Sequence, residues 1–397
     1  MLHRLSHIVL SLVASSLVLT SCQRNYSPDT VLPTAYSPNV IIGSDNQVLY
    51  ALNPTTGVKS WELGLPCQIK ASPIIYNGSV YVASSNRDTI YKINSRTGEI
   101  TKKLTYSNGG TGTKATPIAD AGRIYVGGNS GGFFSIDTGN STTKWSYMAA
   151  GPIESSPAIY NGSVYFATTN GTVYRMEKIN GNLNSTLSPA PVWSLNIPGA
   201  KFTASAAIGD PYLFIGSVTD SSMYCIYLDA PTNTGVLRWK YKTKGGIRSS
   251  ATAYKGTCIF GADDFNVYCV DTGLSLTTTT PDLRWKRTLK SEVTSSPYAS
   301  NQVVYIGCKD YKLYALKIAD GAIKWQFATT GIVTSSPLAY NDVIYVGSYD
   351  KYLYALDSAR GTVKWKSNIN GQIDCSPVLD DLVKVTGHNS QISGHTN

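Results

Sequence analysis

Residues 333–365, VTSSPLAYNDVIYVGSYDKYLYALDSARGTVKW, read as one four-stranded unit. Ser335-Ser336-Pro337 opens a first strand, with proline at a strand start where a missing ladder donor matters least. Asn341-Asp342 then makes a two-residue hairpin turn, because both residue types tolerate the positive φ such turns need. Residues 343–346 alternate into a second strand, 347–350 turn it, and 352–356 form a third. Gly361 leads into Thr362-Val363-Lys364-Trp365, a fourth strand that carries its tryptophan.

Versions of this unit recur along almost the whole chain. The opening element appears at 71–73, 115–117, 155–157, 204–206, 249–251, 295–297, 335–337 and 375–377, and successive third residues lie 44, 40, 49, 45, 46, 40 and 40 apart. All seven tryptophans (61, 145, 193, 239, 285, 325 and 365) fall late in a unit, and in the one unit without a tryptophan Lys102 holds the place. A four-strand repeat that cannot bury its apolar face alone stacks as blades around an axis. The expected fold is therefore all-β, an eight-bladed β-propeller of four-stranded antiparallel blades.

The repeat also says how the ring closes. Residues 40–61 supply a second, third and fourth strand with no Ser-Pro strand before them, and Cys375-Ser376-Pro377-Val378-Leu379 supplies the missing first strand. The run 382–387 competes with 40–43 for one position; the N-terminal strand is expected to win, leaving 382–397 as an edge or tail. Insertions at 182–191 and 274–281, between third and fourth strands, read as surface loops. The expected division is a signal peptide at 1–21, an acylated cysteine and tether at 22–37, the propeller at 38–388 and a polar tail at 389–397.

The N-terminal assignment rests on Arg4, an apolar run at 8–19 too short and too serine-interrupted for a confident membrane span, and Leu19-Thr20-Ser21-Cys22. That last run resembles the bacterial lipobox, in which the cysteine, here Cys22, becomes the acylated first mature residue. The other reading is an ordinary secretory signal; either way the chain leaves the cytoplasm. No aspartate follows Cys22, which points toward the outer membrane rather than retention at the inner one.

Composition excludes several function classes. The repeat strands of the propeller contain no histidine, since His3 and His7 lie in the signal and His388 and His395 at the C-terminal end beyond the last repeat. That removes Ser-His-Asp and Cys-His catalysis and histidine-ligated metals from the centre. The mature chain keeps +8 of the +9 net charge, because Arg4 is the only charge in the signal. Basic residues such as Lys59, Lys92, Lys144, Arg238, Lys324 and Lys364 read as one per outer strand, so nucleic acid is not an expected partner and the anionic envelope is. Six cysteines remain beside Cys22. Cys258 and Cys269 flank one hairpin and read either as a cross-strand disulfide or as small core residues.

Strands alternate in direction through a blade, so the loop entering each blade shares a face with its second-to-third strand turn. The position three before the proline should ring the channel mouth: Lys70, Lys114, Glu154, Thr203, Arg248, Thr294, Thr334 and Asp374. Such a ring is either a ligand-binding mouth or a hydrated rim. The recurring Asn46, Asn86, Asn170, Asp264, Asp310 and Asp350 read as turn formers on that face.

Leu-Tyr-Ala-Leu-Asp at 353–357, with Gly361 and Trp365, resembles the quinoprotein-type, PQQ-like (pyrroloquinoline-quinone) propeller repeat, and the resemblance covers roughly 38–387. Two branches share it. One is the dehydrogenases that use PQQ, calcium, a catalytic aspartate and often a vicinal disulfide. The other is non-catalytic envelope lipoproteins, the BamB-like branch of outer-membrane β-barrel assembly. This chain has no adjacent cysteine pair, no long between-blade insertions and no evident six-oxygen cage for a hard cation. The resemblance therefore implies a scaffold without catalytic residues or cofactor, lipid-anchored at the outer membrane, facing the periplasm and binding an envelope protein. A PQQ/calcium dehydrogenase and an envelope-glycan binder, with Tyr311, Tyr349 and Tyr352 as stacking faces, are the alternatives.

Overall fold

β-Branched and aromatic residues at period two favour pleated strands with buried faces, and the chain folds on the schedule that its repeat sets. The computed structural model describes residues 38–178, 189–230, 234–272 and 279–381. Among these, every regular element is a strand, and the strands form eight four-stranded antiparallel sheets. First strands of neighbouring blades contact one another, so they line the axis and the fourth strands form the outer wall. Blade 1 is composite: Val378–Asp380 takes the inner place beside Asn39–Gly43, with Ile41 opposite Val378 and Val40 opposite Leu379. The expected closure holds. The competing run 382–387, Cys22, the signal, the tether and the tail lie outside the described residues.

Positive φ at both centres of the first hairpin is observed at Asn341 (45°) and Asp342 (59°), and recurs at Asn161-Gly162 and Asn301-Gln302. In seven blades the third-to-fourth strand pairing carries a bulge one residue before the tryptophan position; in blade 8, Ala355 faces Trp365 and Leu356 faces Val363, leaving Lys364 over. A bulge turns its extra residue outward and increases twist. Five of these extra residues, Lys144, Arg238, Arg284, Lys324 and Lys364, are basic, which explains the recurring cation of the outer strands.

The hydrophobic core is divided into eight clusters, each shared by two adjacent blades. Seven contain or contact the tryptophan of the earlier blade, and the rings of Trp61, Trp193, Trp285, Trp325 and Trp365 lie against a glycine in the third-to-fourth strand turn of the next. Trp365 donates its indole N–H to the Pro54 carbonyl at 2.8 Å, so this contact also closes the ring. Trp61, Trp285 and Trp325 do the same to Ser95, Ile318 and Ser358. The turn must hold glycine there: at Gly361 (φ 72°) a Cβ would come within 2.5 Å of the Trp325 ring. Truncating such a buried aromatic costs roughly 3–5 kcal/mol.

The joint between blades 2 and 3 is built differently. Its cluster has no tryptophan and relies on Leu104, Tyr106 and Phe134. Lys102 reaches across to the Gly139 carbonyl, and its strand neighbour Lys92 reaches the Thr138 carbonyl at 3.4 Å. The facing turn position is Ser141 (φ 63°), where five other joints have glycine. Without an indole ring there is room for its Cβ.

Cys258 and Cys269 are not opposite one another. Cys258 faces Val270 and Cys269 faces Ile259, and the two thiols lie in different inter-blade clusters on opposite faces of the blade. All six cysteines from Cys67 to Cys375 are buried free thiols. Burial pushes Cys269 up to about 11 and Cys308 and Cys375 up to about 12.

Candidate functional site

The loop face is assembled by a hydrogen-bond pattern repeated in every blade. The second-to-third strand turn donates a backbone N–H to the loop that enters the blade: Asp45 to Gln372, Ser85 to Gln68, Asp263 to Gly246, and Tyr349 to Ile332. These bonds put the two loops side by side, as the strand directions require.

Below the rim, the opening Ser-Ser-Pro element does two jobs. Ser335 Oγ accepts the Gly347 N–H within the blade at 3.3 Å, as Ser295 does from Gly307 and Ser249 from Gly261. The next residue bridges blades. Ser336 Oγ accepts the N–H of Ser296 at 3.0 Å, and Ser376 Oγ that of Ser336 at 3.2 Å. The series continues through Ser72, Thr116, Ser156, Ser205 and Ser250, and it closes where Ser376 N–H meets Ser72 Oγ at 2.9 Å. Every joint around the axis is thus locked by one hydroxyl.

The turn Asn and Asp residues do more than form turns. Asp350 accepts the Tyr354 hydroxyl at 2.8 Å and the Thr330 N–H at 3.0 Å, and Asp264 does the same for Tyr268 and Lys244. Asn46 and Asn170 donate to the Ile369 and Ala150 carbonyls. Each clamps the loop entering its blade. Burial, then the aspartate beside each hydroxyl, pushes Tyr268, Tyr314 and Tyr354 well above the ordinary phenol range.

All eight predicted ring residues are at least partly solvent-accessible, and the contacts they make are local ones. Lys114 pairs with Glu154 at 2.7 Å across one joint, and Thr334 donates to Asp374 at 2.8 Å across another. Arg248 pairs with Asp263, a turn residue, at 3.0 Å. Thr203 and Thr294 add no charge. Lys70 and Asp374 come together with Asp45, Gln68, Gln372 and Tyr349 around a cleft of about 210 Å³. Burial, then Asp374, raises the Tyr349 hydroxyl. Asp45 and Asp263 were missed in sequence, and Tyr349 was read there only as a stacking face for a glycan. The available signal was their place immediately before the recurring Asn or Asp. Between blades 2 and 3 the loop SNGGTGT (107–113) is held by Asp88, whose carboxylate accepts the N–H groups of Asn108, Gly110 and Gly112.

A calcium site needs about six oxygens, whereas Glu154 is turned to Lys114 and Asp374 to Thr334. Among the described residues no group of three or more His, Cys, Asp or Glu could hold a metal ion.

The geometry defines an eight-bladed propeller of the PQQ-repeat class with a broad polar loop face. The chain belongs to the family described as outer membrane protein assembly factor BamB, whose model matches residues 27–104, 101–186 and 227–392. It is 29% identical over 163 residues to the outer membrane protein assembly factor BamB of Yersinia pestis, covering 38% of this chain and 41% of that protein. A serine/threonine-protein kinase, AfsK of Streptomyces griseus, is also 29% identical over 143 residues, covering 32% of this chain and 17% of that protein. The chain thus spans less than half the length of either relative. Among solved structures, BamB from Moraxella catarrhalis superposes with a TM-score of 0.63 at 16% identity, covering 79% of this chain and 90% of that one. A europium-containing methanol dehydrogenase gives 0.60 at 12%, covering 77% and 79%. At such identities the superpositions speak for the fold alone.

Proposed function

We propose that the protein is a non-enzymatic scaffold of the bacterial envelope that holds a protein partner on its loop face, works without PQQ or calcium, and is anchored by lipid on Cys22 at the periplasmic side of the outer membrane. The observation that carries the reading is the local pairing of the ring, Lys114 with Glu154, Arg248 with Asp263 and Thr334 with Asp374. Such an exposed polar rim suits many weak contacts with an extended protein surface better than the capture of a reacting small molecule. Family membership supports the same reading, because the family description is that of an outer-membrane protein assembly factor.

Chemical crosslinking in intact envelopes followed by mass spectrometry tests it. Recovery of an outer-membrane barrel assembly protein is expected. Capture of glycan fragments alone would favour a sugar-binding role, and dye reduction with PQQ, calcium and an alcohol would favour a dehydrogenase.

A further inference from the structure

The cations of the outer wall are not evenly spread, contrary to the one-per-strand reading. Outer strands Val236–Lys242 and Leu283–Thr288 carry three each, namely Arg238, Lys240, Lys242 and Arg284, Lys286, Arg287. No other outer strand has more than two, and Lys92 sits on a third strand. The two rich strands belong to adjacent blades 5 and 6, and neither contains a carboxylate. Asp220 pairs with Lys240 at 2.9 Å and Asp271 with Arg284 at 3.0 Å; Asp282 is a third, exposed acid nearby. Lys242 and Arg287 donate to the backbone carbonyls of Asp220 and Gly321, which leaves their charge uncompensated. Lys286 is exposed and meets no carboxylate among the described residues.

Three aliphatic side chains stand at the start of the same strands: Val236, Leu237 and Leu283, exposed by 42%, 44% and 44%. A cleft of about 350 Å³ opens between Leu237, Arg238 and Lys240 on blade 5 and Thr279 and Thr280 of blade 6. The Lys240 N–H donates to the Thr279 carbonyl at 3.2 Å, so this stretch of sheet edge is capped and does not offer itself for strand addition.

We infer that the outer wall of blades 5 and 6 is a membrane-facing surface that takes the phosphate headgroups of an anionic bilayer. Cations at such a surface gain from the negative potential, while aliphatic tips beside them enter the interface. A polyanion in water would use the cations and gain nothing from the aliphatics. The upper end of this wall adjoins the loop face, where Lys240 and Lys242 meet Asp220 of a second-to-third strand turn, but the inference concerns the outward surface and holds whatever the loop face binds.

The test uses the full chain carrying Cys22→Ala, so that no acyl anchor holds it, and vesicles of phosphatidylcholine with or without about 30 mol% phosphatidylglycerol. Co-sedimentation is expected only with the anionic vesicles, and should fall when salt rises from about 0.05 to about 0.5 M. Adding Lys242→Glu with Lys286→Glu should lower binding at least about tenfold. The control pair Lys324→Glu with Lys366→Glu makes the same charge change on blades 7 and 8 and should lower it far less. Leu237→Asn with Leu283→Asn, which keeps the charge, should also weaken binding. Equal loss in the two charge pairs, equal binding to both vesicle types, or duplex DNA outcompeting vesicles at equal phosphate would overturn the inference.

Discussion

At the scale of single residues, the serines explain more than the proline beside them. Ser335 and Ser336 are adjacent in sequence, yet one tightens its own blade and the other fastens the previous one. Leaving a buried N–H unpaired costs about 1–3 kcal/mol. Ser336→Ala should therefore lower the urea midpoint and strip hydrogen-exchange protection from the Ser296 amide. Ser336→Thr should do neither, since Thr116 already plays this part for Ser72. The marker was plain in the sequence, but its job was not, because donor and acceptor lie a whole repeat apart. Asp220 gives a pH handle. Burial pushes its carboxyl up, but hydrogen bonds from Ser217, Tyr224 and Lys240 outweigh that and hold it below the ordinary range. A group lowered in the fold stabilises above its unfolded value, and that stability is lost as pH falls through the folded value. Asp220→Asn should thus flatten the loss of stability below about pH 4, read as thermal midpoint against pH.

At the scale of elements, the joint between blades 2 and 3 shows two positions adjusted to one another. Five other joints pair a tryptophan with a glycine; this one pairs Lys102 with Ser141. Lys102→Trp alone should destabilise, because the ring meets the Ser141 Cβ. Combined with Ser141→Gly it should rebuild the common joint, with a coupling of about 0.5–3 kcal/mol in a double-mutant cycle. A lysine lends only its stem to packing, and repeat stability depends on neighbouring interfaces. Amides at 80–83 and 89–93 are therefore expected to exchange faster than those at 343–346 and 352–356. Equal protection would mean that the two lysine–carbonyl bonds replace the indole fully. Spacing revealed the missing tryptophan in the sequence. The compensating Ser141 was silent, because a serine in a turn is unremarkable until its neighbour across the joint is known.

On the scale of the whole molecule, repeat period, blade count and ring closure were legible because each unit repeats the same buried pattern. The site was legible only as a set of positions. Lys70 and Asp374 are separated by nearly the whole chain and meet at one cleft only because the ring closes, and Asp45 and Tyr349 join them from turns that looked merely structural. Cys22→Ala should leave the propeller folded while moving the protein from the detergent phase to the aqueous phase, since each buried lipid methylene contributes about 0.8 kcal/mol; unchanged partitioning would remove the anchor from the account. The most direct test of the scaffold itself compares two faces of one molecule. A photo-crosslinking residue placed at Thr334, on the loop face, should capture an outer-membrane barrel assembly protein in intact envelopes. The same residue at Asn341, in a hairpin at the opposite end of the blade, should not. Equal capture from both positions, or capture from Asn341 alone, would contradict it.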